Sequence, residues 1–270
     1  MKREKGRPFL EIFASALNED YRFPILEVFA FLYTLATFAF AAVMSSSLSS
    51  TGQSEATAYT LTSGLLGFPL FIFVILIFKN IAYGIGNDID KGIIQTYFSY
   101  PLKRSSILSA KLLSALGISL PLFLGIQLLG LYFIAPGIVT PYVGTILLTY
   151  AANLSFPLLI AGIMLLVALV VKRGALAIIV GIVLYFALTI VSSILAFLAY
   201  VTNSWTGMQI LSVLSPSIAL SRYYQILGQF TTSAWRPNYV EAVSYVGASY
   251  IIVAVVFAIA YMYFSRRLST

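Results

Sequence analysis

Six apolar runs, each long enough to cross a bilayer, constrain this chain more than anything else in it. They fall at about 25–44, 59–78, 107–134, 142–171, 175–201 and 242–264. A helix needs roughly 20 apolar residues to span the hydrocarbon core. Lipid offers no partner to a backbone N–H or C=O, so only helices or a closed barrel can span it. The runs are continuous rather than alternating, which selects helices. With 60% hydrophobic and 9% charged residues, against about 25% charged in soluble domains, the chain could not cover its own surface in water. The fold class expected is an all-α integral membrane protein, one transmembrane domain over 1–270.

Charge placement orients the runs. With the N-terminus inside, all but Arg222 and Arg236 of the 16 Lys and Arg residues fall on the inner side, as the positive-inside rule requires. The expected product is a multi-pass protein of the cell (plasma) membrane with both termini cytoplasmic. The net charge of +7 then reads as affinity for the anionic lipid bilayer, not for nucleic acid. The same rule bears on 202–241, a mixed segment carrying Trp205, Pro216, Arg222 and Trp235. Reading it as a seventh span would put Arg266 and Arg267 outside. Short re-entrant helices on the outer face are expected instead, tolerated at depth only when buried in protein or lining a cavity. A plain extracellular loop is the alternative.

Before the first span, Phe9, Ile12, Phe13, Ala16 and Leu17 recur at helical spacing behind Pro8. This predicts an amphipathic elbow helix over 8–20 lying on the inner leaflet; a disordered basic tail is the rival. Ala39-Phe40-Ala41 has the form of a signal-peptide cleavage site. The long amphipathic segment ahead of it favours a retained span.

The missing chemistry narrows function. The chain has no Cys and no His, which removes thiol nucleophiles, histidine proton relays and metal ligation by either. No span has a secure charge at its centre; Glu27 and Glu241 lie near span ends. Proton-coupled carriers keep such charges at depth. The polar groups left are Gln127, Asn153 and hydroxyls, which predict interhelical hydrogen bonds of about 0.6 kcal/mol each. A Na⁺ site made of carbonyls and hydroxyls stays open. Gly117, Pro121 and Gly125, four apart, mark a kink or a close helix contact. The phosphate-binding pattern G-x-x-x-x-G-K-[ST] does not occur, nor does any Gly-Lys pair. If the chain transports, its energy enters through a partner.

The stretch 86–111, GNDIDKGIIQTYFSYPLKRSSILSAK, is where a partner would act. On a helix from about Asp88, the residues Ile89, Ile93 and Tyr97 form one row, with Ile94 and Phe98 beside it. Asp90, Lys91 and Gln95 lie elsewhere. Asn87 or Asp88 is placed to cap the helix, and Pro101 stops it at Tyr100. The expectation is a short amphipathic cytoplasmic helix between spans two and three, within a loop over 86–104.

Asp88, Asp90, Gly92, Pro101, Arg104 and Lys111 carry a resemblance. Their spacing resembles the first cytoplasmic loop of the membrane permeases of ABC-type drug, polysaccharide and antibiotic exporters, the ABC-2 class. In that pattern an acid precedes a Gly by four residues and a second acid by two; a Pro, an Arg three later and a Lys seven further on follow. This chain departs from it with Asp for Glu and with Ile93 for the usual Thr. The layout of elbow helix, six spans and re-entrant pair is similar to that family over nearly the whole chain.

The resemblance implies that the loop is a coupling helix docking into a separate cytoplasmic ATPase. The ATPase would bind the ATP and Mg, with no cofactor or metal in this chain. It also implies that two permeases, two copies or a paralogue pair, enclose an export path. Ile93, Ile94, Tyr97 and Phe98 would be the anchors, with Asp88, Asp90, Lys91, Arg104 and Lys111 as register or bundle-floor contacts. The chain itself would not be an enzyme. An ion-coupled secondary transporter and a non-transporting anchor or assembly subunit stand as alternatives. Uncharged Tyr, Phe, Ser and Thr in the spans suit an apolar or amphipathic cargo.

Overall fold

The structure, a computed structural model, describes residues 7–48, 54–98, 103–227 and 235–267. Those residues form helices joined by short turns, and six of the helical stretches are long and apolar enough to cross a membrane. The chain opens with α1 (Arg7–Asp20) and α2 (Ile25–Leu48). Ser54 then caps α3 (Glu55–Phe78), its hydroxyl accepting the Thr57 N–H.

The second span does not stop near 78. It passes through a π-helical segment, Lys79–Gly84, into α4 (Ile85–Asp90), and the whole stretch Glu55–Asp90 is one span. Hydropathy misses the extension because Lys79 and Asn80 interrupt the apolar run. Asn80 is nonetheless buried, and Lys79 Nζ donates to the Asp20 carbonyl at 2.8 Å. A six-residue helix, α5 (Ile93–Phe98), follows.

Span three is two helices, α6 (Arg104–Gly117) and α7 (Ser119–Ile134). A Cβ added at Gly117 or Gly125 would meet nothing within 4 Å, so the glycines mark no close contact and the kink reading holds. Pro121 lacks an N–H, and its ring excludes the carbonyl four residues back. The hydroxyl of Tyr21 enters the ladder two residues earlier, between Ala115 and Ser119. It donates to the Ala115 carbonyl (2.8 Å) and accepts the Ser119 N–H (3.1 Å). A side chain inserted into the helical ladder is a recognised cause of a sharp bend.

The connection at 136–141, expected as a tight loop, holds a single helical turn, α8 (Pro136–Val139). Next come α9 (Val143–Val171) and α10 (Gly174–Thr202), the latter ending the fifth span. The core is α9 with the apolar part of α3; α7, α10 and α13 (Tyr239–Arg267) pack around it. Gln127 Nε2 donates to Thr37 Oγ1 at 2.6 Å, an interhelical bond of the expected kind between α7 and α2. Asn153 instead donates to the Thr149 carbonyl one turn back on its own helix.

The mixed segment before span six contains a helical hairpin, α11 (Thr206–Leu214) and α12 (Ser217–Leu227). Its tip at Ser215 and Pro216 reaches well into the bundle. Ser249 Oγ donates to the Leu214 carbonyl at 3.4 Å, about 15 Å along α13 at 1.5 Å per residue. Leu211, Ala219, Leu220 and Tyr224 are buried by the packing. Trp205 and Trp235 are buried against Met208 and Ala219, and Arg222 lies over the Trp205 ring at 4.5 Å.

Candidate partner-coupling site

The loop between spans two and three is positioned by one close approach and one ion-pair cluster. A Cβ on Gly86 would stand 2.5 Å from Gly174 Cα and 2.9 Å from its N. Only a glycine lets α4 rest on the backbone of the turn that joins α9 to α10. Asp88, two residues on, is fully buried and pairs with Lys111 of α6. Lys111 also donates to Glu19 Oε2 of α1 at 3.0 Å. The ammonium thus ties three elements together at the end of the bundle where most of the described basic residues lie. A buried charge is tolerated when paired in this way.

After Asp90 the chain breaks. Gly92 has φ +71°, a left-handed conformation that glycine adopts without strain and that most other residues avoid. The continuous helix expected from Asp88 is therefore two pieces. Asp88 lies in the last turns of the span-two helix, where it caps nothing, and Ile89 no longer shares a row with Ile93 and Tyr97. The reason lies in Gly92 itself, which ends one helix and sets α5 on a new axis. Pro101 lies outside the described residues.

The apolar stripe of α5 faces largely inward. Ile94 is 3% exposed and joins the main core. Tyr97 and Phe98 are half-buried against the cluster of Ile12, Ile107 and Ala110. Phe98 meets Phe264 edge-on at 6.1 Å. Arg104 lies 4.7 Å over the Phe98 ring and Lys111 5.6 Å over the Tyr97 ring, both within cation–π range. What α5 and the Gly92 turn expose is Asp90, Lys91, Gln95 and Thr96, with Ile93 half-buried at the edge. Of the eleven sequence-selected residues, Asp88, Ile94, Tyr97, Phe98, Arg104 and Lys111 thus meet within the chain, whereas Asp90, Lys91 and the edge of Ile93 face outward.

A second acid of this region escaped the sequence reading. Asp20, at the end of α1, is 5% exposed and accepts from Ser114 Oγ of α6. Burial pushes its carboxyl up to about 6, against the opposing pull of Ser114, Lys79 and Lys111. Beside it opens a cleft of about 750 Å³ between the end of α1 and the π-helical segment, with Arg22 and Lys79 in its lining. The sequence signal for Asp20 and Tyr21 is faint, since their partners lie more than ninety positions away.

Deeper in the bundle, a cavity of about 230 Å³ lies between α3, α9, α10 and the hairpin tip. Asn153, Tyr185, Ser192, Ser215 and Ser217 line it together with apolar side chains and no charged one.

A search among curated proteins gave no match. The sequence profile described as "ABC-2 family transporter protein" matches residues 85–267, a stretch that begins at α4 and takes in the loop between spans two and three, the hairpin and spans three to six. The chain therefore belongs to the ABC-2 family of transporter proteins, the membrane permeases of ABC transporters.

Proposed function

We propose that this chain is the permease subunit of an ATP-driven exporter, coupled through the Gly92 turn and α5 to a separate cytoplasmic ATPase that binds the ATP and Mg. The observation that carries the reading is the mounting of this element. It hangs from span two at Gly92, just after α4, which the Asp88–Lys111–Glu19 cluster ties to α6 and α1, and its own inner side packs on the bundle. A push on α5 would therefore be borne by spans two and three together rather than dissipated in a loop.

In this reading Asp90, Lys91, Gly92, Ile93 and Gln95 meet the ATPase. Ile94, Tyr97, Phe98, Arg104 and Lys111 transmit the load. Helix α1 is the elbow at the inner leaflet, and 202–241 forms the outer-face re-entrant region. The termini are cytoplasmic in the plasma membrane, as the distribution of Lys and Arg favours. A second permease, a copy or a paralogue, completes the path. The uncharged cavity at the hairpin tip suits an apolar or amphipathic substrate, because a charge at that depth carries a heavy desolvation cost. Nucleic acid has no place in the scheme.

The test is site-specific photocrosslinking in native membranes with the reactive side chain at Gln95 or Lys91, and at Phe133 on the opposite end as control. The expected product is a crosslink from 91 and 95, not 133, to a nucleotide-binding ATPase. With the reactive side chain at 95, Lys91→Glu should abolish the crosslink while leaving the melting temperature unchanged. Equal crosslinking from all three positions, or to proteins without a nucleotide site, would sink the proposal.

A further inference from the structure

At the end of the bundle opposite α5, three tyrosines from different parts of the chain converge on one opening. Tyr142 precedes α9, Tyr223 lies on α12 and Tyr239 begins α13. With Glu55 at the first turn of α3, they line a cavity of about 490 Å³. The rings are arranged as walls. Tyr223 and Tyr239 stand 5.7 Å apart at 56°, and Tyr223 meets Tyr224 at 4.9 Å and 69°. Behind them Tyr224 stacks on Tyr59 at 4.7 Å, and its hydroxyl donates to Thr145 Oγ1 at 3.4 Å. Burial first, and the Glu55 carboxylate after it, hold the Tyr223 phenol above the ordinary tyrosine range. The Tyr224 phenol is pushed up to about 12, again chiefly by burial, with Glu55 contributing in the same direction.

Tyrosines are common where helices leave a membrane, each ring lying separately at the interface. This group differs in two respects: the Tyr223 and Tyr239 rings tilt toward one another at a cavity that Tyr142 also lines, and a carboxylate sits at the rim. Faces of aromatic rings carry negative charge density and attract cations; a cage of such rings is the recognised receptor for quaternary ammonium groups. A carboxylate adds the full charge that a neutral ligand could not use.

We infer that Glu55, Tyr142, Tyr223 and Tyr239 form a binding site for a substituted ammonium group, the shared chemistry of a choline lipid headgroup and a soluble organic cation. The rings surround the N-methyl groups and Glu55 neutralises the charge. The backing rings Tyr59 and Tyr224 hold Tyr223 in place. The inference stands apart from the coupling proposal, because it lies at the other end of the bundle and needs no ATPase.

The experiment uses the full chain purified in a maltoside detergent free of choline lipid. Saturation-transfer NMR follows choline and its neutral isostere 3,3-dimethylbutan-1-ol. Saturation is expected on the choline N-methyl groups, with the isostere about tenfold weaker, since a charge-dependent contact of this class is worth on the order of a factor of ten. Glu55→Gln and Tyr239→Leu should each weaken choline binding about tenfold at unchanged melting temperature. Both side chains are exposed, so neither change threatens the fold. Equal response to choline and the isostere, or undiminished binding in both variants, would overturn the site. A second arm reconstitutes wild type and Glu55→Gln in phosphatidylcholine and weighs the retained lipid by native mass spectrometry. Retention by wild type alone identifies the ligand as a lipid headgroup; binding of free choline without retained lipid identifies a soluble cation.

Discussion

The hydroxyl of Tyr21 accepts the backbone N–H of Ser119 at 3.1 Å, in the place where an unbroken helix would put the carbonyl of Ala115. That carbonyl takes the tyrosine proton instead. The Ala115 carbonyl also accepts the Ser119 hydroxyl at 2.7 Å, so the group that depends on Tyr21 at the bend in span three is the Ser119 N–H. Tyr21→Phe leaves that N–H unsatisfied in a part-buried site, and such a loss costs about 1–3 kcal/mol. The double variant Tyr21→Phe with Pro121→Ala gives residue 121 an N–H and lets the helix straighten. It should lose less stability than Tyr21→Phe alone. Thermal unfolding in detergent of the two single variants and the double one measures this as a non-additive cycle; strict additivity would show that the hydroxyl and the proline act separately.

Lys111 and its two acids make a second, asymmetric prediction. Asp88 is inaccessible to solvent, whereas the Glu19 side chain is 43% exposed. Lys111→Met strands a buried carboxylate and should cost about 3–5 kcal/mol. Glu19→Gln removes a screened, rim-exposed partner and should cost less than about 1 kcal/mol. Asp88→Leu combined with Lys111→Met removes both buried charges and should recover most of the first loss. The same unfolding assay orders the three variants. A Glu19→Gln variant as damaged as Lys111→Met would show that the exposed arm, not the buried one, holds α1, α4 and α6 together.

The spans were legible because length and apolarity are local properties, and the six runs correspond to the six crossing helices. Local reading faltered where a polar residue finds its partner at long range. Lys79 and Asn80 look like the end of a span, yet the helix continues to Asp90 because Lys79 reaches the Asp20 carbonyl. The apolar stripe of Ile93, Ile94, Tyr97 and Phe98 was visible, but its direction was not. The same side chains can seat a helix on its own bundle or on a partner, and only the packing of Ile94 in the core and of Phe98 on Phe264 distinguishes them. Tyr21, the pin of the bend, has no local signature at all. The hairpin was legible through charge: keeping Arg266 and Arg267 on the basic side forbade a seventh crossing.

Asp20 makes stability depend on pH in a defined direction. Burial is the leading cause of its raised pKa, from 3.8 to about 6. The folded state therefore holds the proton more tightly than the unfolded chain does. The stabilisation from this group is complete below about pH 4, declines as pH rises toward 6, and is absent above it. Its size is about 3 kcal/mol, from roughly two pKa steps at 1.36 kcal/mol each. Asp20→Asn keeps the shape and an acceptor for Ser114 but cannot ionise. Melting temperatures from pH 4 to pH 7 should fall less steeply for Asp20→Asn than for wild type, and the variant should be at least as stable at pH 7. Parallel profiles for the two proteins would mean that another group carries the titration.

Two glycines six positions apart should respond differently to the same substitution. Gly86→Ala puts a methyl group 2.5 Å from the backbone of Gly174, and backbone on both sides leaves nothing flexible to yield. The helix must back away from the α9–α10 turn, taking Asp88 out of line with Lys111. Overpacking of this kind costs typically 1–3 kcal/mol, and the disturbed ion pair adds to it. At Gly92 there is room, the nearest atom being the end of the Gln95 side chain at 3.8 Å. Gly92→Ala meets only the left-handed backbone, φ +71°, at a cost of about 1–2 kcal/mol. Gly92→Asn, whose short polar side chain tolerates that conformation, should recover much of the loss, whereas Gly86→Asn should be worse than Gly86→Ala. Thermal unfolding of the four variants separates the two mechanisms. Rescue by Asn at 86, or its failure at 92, would show that the close approach and the turn had been assigned to the wrong glycines.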